Sequence, residues 1–152
     1  MINYIKGDIT KVDSGLIIHG TNCSGGFGGG ISGVFGRKWP IVERKFRETP
    51  PGKDLLGVCI PVKISPTLAI GNCYTQEAYG PPGKVYASAH AIASALEDAI
   101  EYAIRQGFSS VSMPKIGAGL GGLDWKSDVE PMIEEVANRH KDSITINVYY
   151  ID

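Results

Sequence analysis

A chain of 152 residues, 43% hydrophobic and 20% charged, has the make-up of one globular domain spanning residues 1–152, not of a disordered segment. A formal net charge of -1 argues against a general nucleic-acid binder, which would concentrate Lys and Arg to neutralise phosphates. No apolar run approaches the roughly 20 residues of a membrane span, and the start, Met1-Ile2-Asn3-Tyr4, shows no signal-peptide pattern.

In chain order, residues 2–5 are a short apolar run broken by Gly7-Asp8, and residues 16–19 are a second that enters a glycine-rich tract. From there Ile31, Val34, Phe35, Trp39, Val42 and Phe46 recur at helical spacing, and Pro40 kinks that helix or divides it in two. Pro50-Pro51-Gly52 makes residues 48–54 a loop. Residues 55–60 and 68–72 read as strands, antiparallel neighbours across residues 63–67. Gly80-Pro81-Pro82-Gly83 is a strong breaker.

The clearest helix follows, with Ala89, Ile92, Ala93, Leu96, Ala99, Ile100 and Ala103 on one stripe and Gly107 suited to its C′ position. Residues 110–113 form a short strand entering a second glycine tract. A further helix carries Val129, Met132, Ile133 and Val136 on one face, with Ser127 and Glu130 as a capping box and Pro131 in the first turn. Residues 144–150 are the last strand. Strands alternating with helices imply an α/β fold, a mixed sheet covered by helices on both faces. In such sheets ligands sit beyond the carboxyl ends of strands.

The anomaly is glycine: 20 residues, eight of them between Gly20 and Gly36 and four between Gly117 and Gly122. The first tract reads His19-Gly20-Thr21-Asn22-Cys23-Ser24-Gly25-Gly26-Phe27-Gly28-Gly29-Gly30-Ile31-Ser32. The second reads Pro114-Lys115-Ile116-Gly117-Ala118-Gly119-Leu120-Gly121-Gly122. Each follows a strand and precedes a helix. Bare backbone there can approach a ligand closely, and a helix N-terminus adds roughly half a positive charge. One such loop can hold one phosphate; two suggest a diphosphate, or a phosphate and a sugar. Tight turns that need positive φ are the alternative reading.

Other sites are excluded. Gly52-Lys53-Asp54 and Gly83-Lys84-Val85 fail the Walker pattern. Gly28, Gly30 and Gly33 match a dinucleotide fingerprint literally, but residues 19–28 are too long for its tight turn. No cysteine has an Arg six positions on, so thiol-phosphatase chemistry is absent. The histidines, His19, His90 and His140, are scattered, and neither a metal nor an organic cofactor is expected. Three cysteines, Cys23, Cys59 and Cys73, are an odd number and read as reduced thiols in a cytoplasmic protein.

Lys6-Gly7-Asp8-Ile9, the tract over residues 19–32, residues 113–125 and Val148-Tyr149, taken in that order, resemble a macrodomain, the three-layer α/β/α fold that binds ADP-ribose. Within it, His19, Asn22-Cys23, Gly28-Gly29-Gly30-Ile31 and Met113-Pro114-Lys115-Ile116 are most similar to the yeast-type ADP-ribose-1″-phosphate phosphatases. The resemblance implies that Asp8 accepts a hydrogen bond from the adenine amino group, with Gly7 and the Ile9 backbone beside it. Thr21, Asn22, Phe27, Gly28, Gly29, Gly30, Ile31 and Ser32 would surround the distal ribose and its phosphate. Lys115, Ile116, Gly117, Ala118, Gly119, Leu120 and Gly121 would wrap the diphosphate, and Tyr149 would lie near the adenine or pack in the core. His19 stands where many macrodomain hydrolases carry Asn, and Ser32 where many carry Asp. Asn72-Cys73-Tyr74 and Gly121 stand where a glutamate-deconjugating subgroup carries its catalytic Lys and Asp.

The expected activity is hydrolysis of ADP-ribose 1″-phosphate by a monomeric enzyme. Charge stabilisation by the loops would carry phosphoryl transfer. His19 would orient water or protonate the leaving oxygen, or else bond to backbone at a strand end; Asn22 would hold ribose or water, or else form a turn; and Asp124 is a third candidate that also fits a helix N-cap. A non-catalytic ADP-ribose reader and an ADP-ribosyl hydrolase of modified protein or nucleic acid are the competing readings.

Overall fold

The structure is a computed structural model and describes residues 2–81 and 83–151, so Pro82 of the expected breaker lies outside the described residues. Six strands form one sheet: β1 (Ile2–Lys6), β2 (Gly15–Asn22), β3 (Cys59–Ser65), β4 (Leu68–Gln76), β5 (Ser110–Met113) and β6 (Thr145–Tyr150). Their spatial order is β1-β6-β5-β2-β4-β3. Every neighbouring pair is parallel except β3 with β4. The sheet is therefore mixed, and the carboxyl ends of the five parallel strands share one edge.

Four α-helices cover it: α1 (Gly30–Lys38), α2 (Pro40–Glu48), α3 (Ala89–Arg105) and α4 (Glu130–Arg139). The pleat sends alternate residues of β2 to opposite faces. Leu16 and Ile18 join the core beneath α3 and α4, whereas Ile17 joins Phe35 of α1 and Val42 of α2. The result is the expected α/β/α layering. Leu16, Ile17 and Ile18 are essentially buried, and burying a branched side chain of this size stabilises by roughly 1.5–3 kcal/mol. Among the described residues, no helix is long and apolar enough to cross a membrane.

Local rules explain most boundaries. Pro40 occupies the first turn of α2, and Trp39 leaves helical geometry between α1 and α2, so the helical stretch is divided. The Ser88 side chain accepts from Ala91 N–H to start α3, and Gly107 at φ +77 ends it. The buried stripe of α3 also takes in Ala91 and Ala95, while the expected Ala93 packs against the core half-buried and Ala89 is half-buried.

Three expectations are corrected. The strand expected over residues 55–60 lies at Cys59–Ser65, because a 3₁₀ turn (Lys53–Leu55) and Gly57 at φ +87 occupy the preceding stretch. Pro61 is tolerated there because β3 is an edge strand. β4 runs on to Gln76, past the expected Asn72. The Ser127–Glu130 capping box is absent. Asp124 caps instead, its carboxylate accepting from Ser127 N–H at 2.9 Å and Ser127 Oγ at 2.7 Å, ahead of a π turn over Trp125–Val129. The Glu130 carboxylate turns away to accept from Tyr4 Oη.

Candidate functional site

Both glycine tracts leave the carboxyl edge of the sheet, one after β2 and one after β5, which are hydrogen-bonded neighbours. They meet in space. An alanine Cβ built on Gly29 or Gly30 would lie 3.7 or 3.6 Å from Leu120 Cδ1 of the second tract. Two adjoining cavities lie between and beside them. A larger one, of about 430 Å³, is lined by Gly20, Thr21, Asn22, Gly25, Gly26, Phe27, Gly28, Gly29, Ser32, Arg47, Gln76, Tyr79, Gly80, Tyr86 and Leu120. A smaller one, of about 250 Å³, adds Gly30, Ile31, Thr75, Pro114, Lys115, Ile116, Gly117, Gly119 and Gly121, and shares Gly20, Gly29, Ser32, Gln76 and Leu120 with the first. Among the described residues no carboxylate lines either cavity, whereas a surface depression of about 780 Å³ elsewhere is lined by Glu134, Glu135 and Asp142 with a single cation, Lys141. The depression is therefore net acidic and the cleft is not.

Glycine is required here sterically. A Cβ on Gly33 would meet the Gly28 carbonyl oxygen at 2.5 Å, and one on Gly121 would meet the Gly117 oxygen at 2.8 Å. Each loop thus closes against its own glycine. Asn22 builds the first loop. Its Oδ1 accepts from Ser24 N–H at 3.1 Å, Ser24 Oγ at 3.0 Å and Gly26 N–H at 3.0 Å, while its Nδ2 donates to the Gly26 oxygen at 2.9 Å. This side-chain mimicry of backbone is the ordinary chemistry of Asn in turns. The side chain that was a candidate to hold water or ribose is committed to the loop.

His19 differs most from expectation. Its side chain is wholly buried, it lines neither cavity, and its ring lies 4.8 Å from that of Phe35. Asn72 Nδ2 donates to the Val42 oxygen at 3.3 Å, which turns Asn72 Oδ1 toward His19 Nε2 at 2.5 Å. An amide oxygen only accepts, so the network assigns the ring proton to Nε2. In a neutral ring Nδ1 is then a bare acceptor for the Ser32 hydroxyl, 2.9 Å away. That hydroxyl also donates toward the Gly20 oxygen, 3.1 Å away, so its one proton is shared between the two acceptors. Burial pushes His19 down to about 4, opposed only in part by the bond to Asn72. Both ring nitrogens are engaged, by Ser32 and Asn72, and the ring stands behind the cavity wall rather than in it. It orients Ser32, which does line the cleft.

Asp124 is exposed, lines neither cavity, and serves as the cap described above, so the N-cap alternative explains it. Asp8, also exposed, accepts from Thr10 N–H at 2.9 Å and Thr10 Oγ1 at 2.7 Å through Oδ1. Those bonds hold its carboxyl below the usual range. Gly7 N–H donates to the Tyr150 oxygen at 2.9 Å. Gly7, Asp8, Ile9 and Tyr149 stand at the same sheet edge, outside the two cavities, and Ile9 and Tyr149 pack with the α1–α2 core. Ala118 packs toward the opposite core. Cys23 is buried beside Phe46 and Tyr74, and desolvation, then Glu77 and Asp54, raise its thiol. All three cysteines are free.

Sequence reasoning did not anticipate Arg47, Gln76, Tyr79 or Tyr86 in the cleft wall. Tyr79 is 63% exposed and covers Gly26, where a Cβ would overlap its ring. An exposed aromatic beside Gly80 was the available signal.

Comparison with known proteins agrees with this geometry. The Macro domain family model matches residues 62–132. ADP-ribose 1″-phosphate phosphatase of Candida albicans is 30% identical, covering 99% of this chain and all of that protein. DNA ADP-ribosyl glycohydrolase of Mycobacterium tuberculosis is 30% identical over 86% of this chain but only 37% of its own length. A macrodomain protein from Streptomyces coelicolor superposes with a TM-score of 0.78 at 29% identity, covering all of both chains. With a full-length relative at that identity and with paired glycine loops at one sheet edge, the chain belongs to the macrodomain family.

Proposed function

We propose that the protein hydrolyses ADP-ribose 1″-phosphate to ADP-ribose and inorganic phosphate. The observation that carries this reading is the convergence of the two glycine loops on adjoining cavities that no carboxylate among the described residues lines. Such a cleft suits a ligand with a diphosphate and a further anionic group. The full-length match to the Candida albicans phosphatase supports the choice of substrate.

In the reaction, water attacks phosphorus, the bond to the ribose O1″ breaks, and that oxygen leaves as a hydroxyl with a proton from water. With His19 and Asp124 out of reach, rate enhancement rests on positioning and on charge stabilisation by backbone N–H groups. Ser32, oriented by His19, presents its hydroxyl oxygen to the cleft as an acceptor, its proton being held between His19 Nδ1 and the Gly20 oxygen.

The second reading, removal of ADP-ribose from a nucleic acid, is favoured by the relative from Mycobacterium tuberculosis. Asn72 stands in the stretch where the resemblance sought a catalytic Lys, and its amide is engaged by His19 and Val42. The test is a phosphate-release assay on ADP-ribose 1″-phosphate beside a release assay on ADP-ribosylated DNA. Phosphate release alone is expected. Release of ADP-ribose from DNA with no phosphate release would reverse the assignment.

A further inference from the structure

The order of strands fixes the order of groups that an elongated ligand meets along the carboxyl edge. Asp8 follows β1, Lys115 follows β5, Asn22 ends β2 and Gln76 ends β4, with β5, β2 and β4 consecutive in the sheet. If the adenine takes the Asp8 end, as the macrodomain resemblance implies, the far end of the ligand arrives in the larger cavity, beyond Gly20. Two cationic side chains line the cleft: Lys115 in the smaller cavity and Arg47 in the larger. Arg47 is thus the cation at the end where the distal ribose and its substituent belong.

Its geometry suits a phosphate. Arg47 lies on α2, and its Nε donates to Glu43 Oε2 at 2.9 Å, one helical turn back. Glu43 does not line the cavity. The ion pair holds the guanidinium by its inner nitrogen. Among the described residues, Arg47 makes no other hydrogen bond, so both Nη groups remain available. The same cavity is lined by Gly28 and Gly29, whose N–H groups likewise donate to no acceptor among the described residues. Solvent-facing amides just ahead of α1 and a planar fork of donors together match a group with three acceptor oxygens.

We propose that Arg47 binds the terminal monoester, its Nη pair engaging the phosphate on C1″ of the distal ribose, and so separates ADP-ribose 1″-phosphate from ADP-ribose. The proposal rests on the phosphatase reading and adds a residue that neither glycine tract contains. A phosphate monoester carries between one and two negative charges near neutrality, its second ionisation falling near 6. ADP-ribose has a neutral hydroxyl at that position, so loss of Arg47 costs the first ligand and not the second.

The experiment measures kcat/KM for ADP-ribose 1″-phosphate and the inhibition constant of ADP-ribose in wild type, Arg47→Gln and Arg47→Lys. Arg47→Gln is expected to lower kcat/KM about 10- to 100-fold, the worth of hydrogen bonds to a charged partner. The inhibition constant should not move, and Arg47→Lys should fall between, since it keeps charge but not the fork. Equal kcat/KM in Arg47→Gln, or a parallel loss for both ligands, overturns the proposal while leaving the phosphatase intact. If wild type releases no phosphate, the phosphatase reading fails, and equilibrium titration of the two unhydrolysed ligands then decides on Arg47. Tighter binding of the monoester that Arg47→Gln abolishes supports the site; no preference in wild type overturns it.

Discussion

A neutral, buried His19 ties the stability of the fold to pH in a way a catalytic histidine would not. The unfolded chain binds the proton near the ordinary value of 6.5, whereas the folded protein resists it to about 4. Above 6.5 both states are neutral and the group contributes no slope. As pH falls below 6.5 the unfolded state gains a proton first, and stability drops by about 1.4 kcal/mol per pH unit. The loss ends near pH 4, where the folded state also takes the proton, and reaches on the order of 3 kcal/mol. His19→Gln keeps a planar hydrogen-bonding group between Ser32 and Asn72 but removes the titration. It also removes ring contacts with Phe35, so it is less stable at pH 7.5. Urea unfolding at pH 7.5, 6.5, 5.5 and 4.5 should therefore show the gap between wild type and variant closing toward acid. The carboxylates common to both proteins cancel in that difference. In turnover, His19→Gln should lower kcat through Ser32 without removing a limb of the pH profile between 6 and 8. Parallel stability curves across the acid range, or loss of such a limb, would refute the assignment and restore His19 as a titrating catalyst.

Three further substitutions separate loop building from chemistry. An interior helical Gly→Ala change ordinarily stabilises by roughly 0.5–1 kcal/mol. Gly33→Ala should instead cost about 1–3 kcal/mol by urea unfolding, because its Cβ must displace the Gly28 carbonyl, and calorimetry should show weaker ADP-ribose binding. Asn22→Asp retains the acceptor for Ser24 and Gly26 N–H but sets an acceptor against the Gly26 oxygen. It also adds negative charge beside an anionic ligand. Affinity should fall about tenfold or more, and high salt should recover part of it. Asp124→Ala removes the cap on the turn at Trp125, so the melting temperature should drop while kcat stays at the wild-type value; a large loss of kcat would return Asp124 to the catalytic list.

The features legible in the sequence are those fixed by neighbours in the chain. The stripe of α3 and its Gly107 stop follow from helical period and from the conformational freedom of glycine. The division at Pro40 follows from ring sterics. The two glycine tracts declared themselves by density alone. Strand limits were legible only where apolar residues continue. β4 extends through Asn72, Cys73, Tyr74 and Thr75 to Gln76 because β2 and β3 supply its hydrogen-bond partners, and no residue within that stretch announces the pairing. Arg47 and Tyr79 were missed for the same reason. One is a charged residue on an amphipathic helix and the other lies in a breaker loop, and only the tertiary fold brings both to the first glycine tract.

Asn22 and Asp124 show where local chemistry stops being informative. Both carry short polar side chains that satisfy backbone N–H groups two to four residues onward. Asn22 ends β2 and Asp124 comes after β5, two strands that finish at the same edge of the sheet. Sequence chemistry therefore admitted both as active-site candidates, each beside an ordinary structural role. They part because Asn22 closes the loop that follows β2 directly, with Gly26 drawn back onto its amide. Asp124 comes only after the second tract has turned on Gly117 and Gly122, at φ +86 and +83. Those turns return the chain toward Ala87, whose N–H donates to the Gly121 oxygen at 3.1 Å, and the cap then lies outside the cleft. A residue type predicts the bond it will make; the loop's path decides whether that bond borders a ligand. His19 obeys the same logic on a shorter scale. One step along a pleated strand separates its ring, sealed against Phe35, from Gly20, which is open to both cavities.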